Sequence, residues 1–121
     1  FLKNRFEEDG FVIVRQFFKL DQVEEICRRA EAVVANRTEY SERYTNITKG
    51  LEGVDDYFDT LMNEGPQVSL LEKLLGTKPI PITSSFFSKN KNSEQVHPHS
   101  DAMQGGVIWV ALDPTSQKNG C

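Results

Sequence analysis

Cysteine is scarce in this 121-residue sequence: Cys27 and Cys121 are the whole supply. Two thiols cannot staple a disulfide scaffold, and they are expected to stay reduced in a cytoplasmic compartment. A basic excess is also missing. The 14 Lys+Arg against 18 Asp+Glu leave a net charge of −4, which argues against a phosphate-tracking nucleic-acid binder. No apolar run approaches the roughly 20 residues of a membrane helix, and no basic-then-apolar leader opens the chain. Internal repeats and low-complexity stretches are absent as well. What is present, 38% hydrophobic and 26% charged residues, fits a globular chain of one domain at most, or a piece of one. Phe1 stands where a Met would start a protein and Cys121 stops in mid-pattern, so both ends read as cuts.

The clearest helix spans 21–34. Val23, Ile26, Cys27, Ala30, Val33 and Val34 follow the i, i+3, i+4, i+7 rule, and Glu24, Glu25, Arg28, Arg29 and Glu31 form a solvated face. Asp21 with Glu24 resembles a capping box. Cys27 lies on the apolar stripe and reads as a small buried hydrophobe, not a nucleophile. A short helix over 1–8 should end at Gly10, and residues 11–18 (FVIVRQFF) read as a strand behind the Asp9-Gly10 turn. Residues 36–53 are polar and aperiodic, hence a loop. Helices are expected over 54–63 and 66–75, with Pro66 at the start of the second and Gly76 just past its end. Strands are expected over 79–88, 95–103 and 107–112, with turns at 89–94, 113–115 and 118–120. Helices first and strands last give an α+β class.

Only two histidines occur, and they stand together in His97-Pro98-His99-Ser100-Asp101. On a strand, residues i, i+2 and i+4 project to one face, so His97, His99 and Asp101 can point the same way. An imidazole and a carboxylate two residues apart can fill adjacent positions around one metal. A further histidine would complete a 2-His-1-carboxylate facial triad, which leaves open coordination positions and suits non-haem Fe(II). One carboxylate in the set disfavours a structural zinc site, which is closed and often thiolate-rich. Taken alone, His-x-Asp is a weak pattern that also occurs as a polar surface pair with no metal.

Four pieces come in order: Phe6-Glu7-Glu8-Asp9-Gly10-Phe11-Val12-Ile13-Val14, His99-Ser100-Asp101, Trp109-Val110-Ala111-Leu112-Asp113 and Asn119-Gly120-Cys121. Together they resemble the phytanoyl-CoA dioxygenase family of Fe(II)/2-oxoglutarate oxygenases, and the Leu74-Leu75-Gly76 helix end fits it too. The resemblance implies helices packed on a double-stranded β-helix, or jelly-roll, core. Residues 1–76 would be mostly helical and 77–121 would carry the first barrel strands, the N-terminal and central part of a single oxygenase domain truncated at its C-terminus. It implies iron ligands at His99 and Asp101, with Trp109, Ser100 and Ser85 at the 2-oxoglutarate pocket and Phe87 on the same lining strand. His97 matches no ligand position. The substrates would be O2 and a small molecule or acyl compound, with no nucleic-acid or membrane partner.

In the family a second iron histidine and an arginine for the distal carboxylate of 2-oxoglutarate follow the Asn-Gly-Cys turn. They would lie beyond Cys121, so these 121 residues by themselves are expected to be inactive and to hold iron poorly. Asp101 stands where halogenating relatives carry a small residue, which points to hydroxylation. Relatives place a longer lid segment between the His-x-Asp strand and the next, so residues are expected to be missing near Gln104-Gly105. Two rivals remain at this point: a non-catalytic jelly-roll binding domain, and a cupin-like metal protein.

Overall fold

Helix α2 (Leu20–Asn36) organises the molecule. Its apolar stripe buries Ile26, Ala30 and Val33. These close on Leu51 and Phe58 to form the main core cluster, with Phe18, Tyr57, Leu61, Phe86 and Leu112 packed around it. This is a computed structural model, and it describes residues 1–36, 47–89, 91, 95–99 and 105–119. The order of elements is α1 (Leu2–Asp9), α2, β1 (Ile47–Lys49), a 3-10 turn (Leu51–Gly53), α3 (Asp56–Glu64), α4 (Pro66–Leu75), β2 (Ser85–Phe87) and a second 3-10 turn (Gln117–Asn119). The α+β class stands among these residues. A jelly roll needs more strands than the two described here.

Helix boundaries follow local chemistry. The α1 helix stops at Gly10, whose φ of 77° is left-handed and whose N–H donates to Phe6 O. The α4 helix starts on Pro66 and ends at Gly76 with φ 74°. At the head of α2 the expected Asp21–Glu24 box is replaced. The helix begins one residue earlier, and the Gln22 side chain reaches back to accept from Lys19 N at 2.9 Å. Asp21 instead accepts from Gln22 N at 2.9 Å. Asp55 caps α3 by accepting from Tyr57 N at 2.9 Å.

Asp55 also anchors α3 to α2. Arg29 Nη1 lies 3.0 Å from each Asp55 carboxylate oxygen, Arg29 Nε donates to Glu25 at 2.6 Å, and the guanidinium sits 4.7 Å from the Tyr57 ring centre. Hydrogen bonds from Arg28 and then Arg29 hold the Glu25 carboxyl down to about 2. On the same helix Cys27 is half-buried and donates to Glu31 at 3.6 Å. Burial first, then the Glu31 carboxylate, push its thiol up, which fits packing and not nucleophilic chemistry.

The joint between α3 and α4 is sterically closed. Gly65 N donates to Leu61 O at 3.0 Å, and the buried Gln67 amide donates to the same carbonyl. A Cβ on Gly65 would overlap both the Leu61 carbonyl and the Gln67 amide. Since the Gly65 φ of −64° is ordinary, the cost of Gly65→Ala is steric, about 1–3 kcal/mol. Urea denaturation should show that loss; a variant as stable as the parent contradicts this packing.

Three strand expectations change. Residues 11–18 form no ladder: Gln16 turns into the left-handed region with φ 55°, Phe11 and Ile13 stay exposed, and only Phe18 joins the core. Of 79–88 only Ser85–Phe87 pairs, antiparallel to β1, with Ile47 opposite Phe87, Thr48 opposite Phe86 and Lys49 opposite Ser85. Residues 107–112 make no ladder either, and Val107 and Trp109 are largely exposed. All these runs have strand composition, but a strand persists only where a neighbour takes its N–H and C=O groups. The expected 36–53 loop holds β1 and a 3-10 turn instead. The segment 95–99 is irregular. The rest of the 95–103 strand and the break near Gln104-Gly105 fall, wholly or partly, outside the described residues.

Candidate functional site

Register sorts the small sheet into two faces, because directly opposite residues in an antiparallel pair share a side. Thr48 and Phe86 face inward: Thr48 is buried and Phe86 packs on the core. Ile47, Lys49, Ser85 and Phe87 therefore share the outer face. Lys49 and Ser85 are exposed there, their Cβ atoms about 5 Å apart by pairing geometry. Against the same face lies Trp109, its ring centre 5.1 Å from that of Phe87 at a 46° tilt. The outer face thus runs from a cation and a hydroxyl at one end to an aromatic pair at the other.

Residue 84 fixes where this face begins. Ser84 O accepts from Gly50 N at 2.9 Å and from Leu51 N at 3.4 Å. Ser84 N and Oγ donate to one oxygen of Glu52, at 2.9 and 2.6 Å. Burial alone would pull the Glu52 carboxyl up, but the Ser84 donors and other hydrogen bonds outweigh it and hold it below its ordinary value. The charged carboxylate therefore stabilises the fold above the ordinary carboxylate range, and that contribution is lost as pH falls through the lowered folded value. Glu52→Ala should cost about 1–2 kcal/mol at neutral pH. The difference from the parent in urea denaturation should shrink as pH drops below about 4; a pH-independent difference contradicts a charged clamp.

His99 stands on the irregular segment 95–99 and is exposed. Its Nδ1 lies 2.7 Å from the backbone carbonyl of His97. A carbonyl can only accept, so Nδ1 is the donor in this contact. Metal-bound histidines are commonly oriented this way, through a second ring nitrogen that donates to a carbonyl or carboxylate. His97 is exposed too, its own Nδ1 3.5 Å from Gln95 Nε2; what it supplies to His99 is its main chain. Ser100 and Asp101 lie outside the described residues, and with them the expectation that His99 and Asp101 share a face. Among the described residues no three His, Cys, Asp or Glu side chains gather as a metal cluster.

The structure thus joins Ser85 to Trp109 through the sheet face and Phe87, and places His99 on the irregular segment 95–99. Two contributors were missed by sequence reasoning. The His97 carbonyl is a backbone group and has no side-chain signature. Lys49 becomes a neighbour of Ser85 only through the register of two strands distant in sequence. Elsewhere, an open cleft of about 630 Å3 lies between the start of α2 and residues 111–114, and none of Ser85, His99 or Trp109 lines it. Among the described residues no helix is long and apolar enough to cross a membrane.

The family model described as Phytanoyl-CoA dioxygenase (PhyH) matches residues 6–121. No curated protein and no solved structure matches the chain.

Proposed function

Since the chain belongs to the phytanoyl-CoA dioxygenase family, with a match running over residues 6–121, we propose that it is the N-terminal and central part of an Fe(II)/2-oxoglutarate-dependent hydroxylase domain. His99 Nε2 and the Asp101 carboxylate hold the iron. What supports this is the family match over residues 6–121, together with the contact of His99 Nδ1 with the His97 carbonyl, an arrangement common among metal-bound histidines. The donor set fits the metal: imidazole nitrogen and carboxylate oxygen suit non-haem Fe(II) better than a closed structural zinc. They are two of the three protein ligands of a facial triad.

When bound, the iron supplies the oxidising chemistry, in which O2 and 2-oxoglutarate yield succinate, CO2 and one oxygen atom for the substrate. This chain's part is binding and positioning. Ser85 and Ser100 offer hydroxyls to the co-substrate, Trp109 walls its pocket, and Lys49 provides a cation for a carboxylate on the face it shares with Ser85. In sequence, Asp101 stands where halogenating relatives carry a small residue, which favours hydroxylation. The substrate is a small molecule or acyl compound, and a reducing, cytoplasmic compartment would keep Fe(II) and Cys27 reduced. In a full-length protein with all three ligands, succinate should form from 2-oxoglutarate only when Fe(II) and O2 are both supplied. Formation that persists with excess chelator would overturn the assignment.

A further inference from the structure

Trp109 is placed by a single described ring contact. Its side of the chain, residues 107–112, has no ladder among the described residues, and Trp109 is 67% exposed. Backbone pairing therefore does not fix the indole. The Phe87 ring does, at 5.1 Å and a 46° tilt, within the range of separations that favour aromatic pairs. Phe87 is itself well placed to hold another ring still. It sits on β2, paired to Ile47, while its neighbour Phe86 is anchored in the core from the opposite face. The hydrogen bonds between Ser84 and Glu52 lock the start of the same strand. The rigid partner is thus Phe87, and the placed partner is Trp109.

We infer that Phe87 is a positioning residue for Trp109, holding the indole against the sheet face that carries Ser85 and Lys49. This rests on the reading of Trp109 as a wall of the 2-oxoglutarate pocket. Phe87 touches neither iron nor the reacting atoms in this account; it acts through the indole. It follows that the side chain at 87 must be a flat ring, and that the hydroxyl of a tyrosine would be tolerated because Phe87 is 39% exposed.

The test has two arms. Trp109 is the only tryptophan of the 121-residue chain, so its near-UV circular dichroism and acrylamide quenching report one site. Phe87→Leu should collapse the indole band and raise quenching with an unchanged far-UV spectrum, and Phe87→Tyr should restore both. In the full-length protein, Phe87→Leu should raise KM for 2-oxoglutarate about 2- to 10-fold with kcat unchanged, Phe87→Tyr should not, and Phe87→Leu added to Trp109→Phe should add little. An unaltered indole band in Phe87→Leu overturns the inference, as does a KM effect that adds fully to that of Trp109→Phe. If Trp109→Phe leaves KM unchanged while Phe87→Leu still collapses the band, the ring contact stands. In that case the reading of Trp109 as a co-substrate wall fails, and the positioning role fails with it.

Discussion

In the full-length protein, His99→Ala is expected to lower Fe(II) affinity by at least about 100-fold and to abolish succinate formation. Loss of a group that merely orients a metal ligand costs about 10- to 100-fold, and His99 is assigned as the ligand itself. His97→Ala separates the two histidines. It keeps the backbone carbonyl that receives the His99 Nδ1–H, so affinity should stay close to that of the parent. Asp101→Ala should behave like His99→Ala if, as proposed, Asp101 supplies the carboxylate of the triad. Metal titration followed by Mn(II) electron paramagnetic resonance would read all three variants on one scale. Equal losses in His97→Ala and His99→Ala would mean that the side chain of His97, not its carbonyl, matters.

The second large effect is on stability. Phe58 is 3% exposed and lies in the cluster with Ile26, Ala30, Val33 and Leu51. Its ring also meets Tyr57 edge-on, with centres 5.4 Å apart. Removing a buried phenylalanine loses its transfer free energy and leaves a cavity, together about 3–5 kcal/mol. Small domains have only about 5–15 kcal/mol in total, so Phe58→Ala should remove a large share of the stability and lower the urea midpoint strongly. Val54→Ala, close by in sequence but at a position 54% exposed, should change stability by less than about 0.5 kcal/mol. Urea denaturation of both variants decides the matter: similar midpoints would show that the cluster around α2 is not the core.

The helices were legible because their signals are local. The stripe of Ile26, Ala30 and Val33 has the helical period and is the stripe that is buried. Pro66 and Gly76 mark the ends of α4 because a missing N–H and a left-handed φ are tolerated only there. The strands were less legible, since pairing is decided between segments and not within one. Val107-Ile108-Trp109-Val110 has strong β composition yet no ladder among the described residues, whereas Ile47-Thr48-Lys49, too short to show a period, forms one. The site divides in the same way. His99 could be picked out because histidine is rare in this chain and sits two residues from a carboxylate. The orientation of its ring by a neighbouring carbonyl, and the approach of Lys49 to Ser85, depend on backbone geometry that no side-chain pattern encodes.

The most direct measurement is anomalous diffraction at the iron edge from crystals of the full-length protein, grown without oxygen in Fe(II) and 2-oxoglutarate. A single strong peak within bonding distance of His99 Nε2 and the Asp101 carboxylate is the predicted result. A peak on His99 Nδ1, or one that His99 and Asp101 do not share, would contradict it.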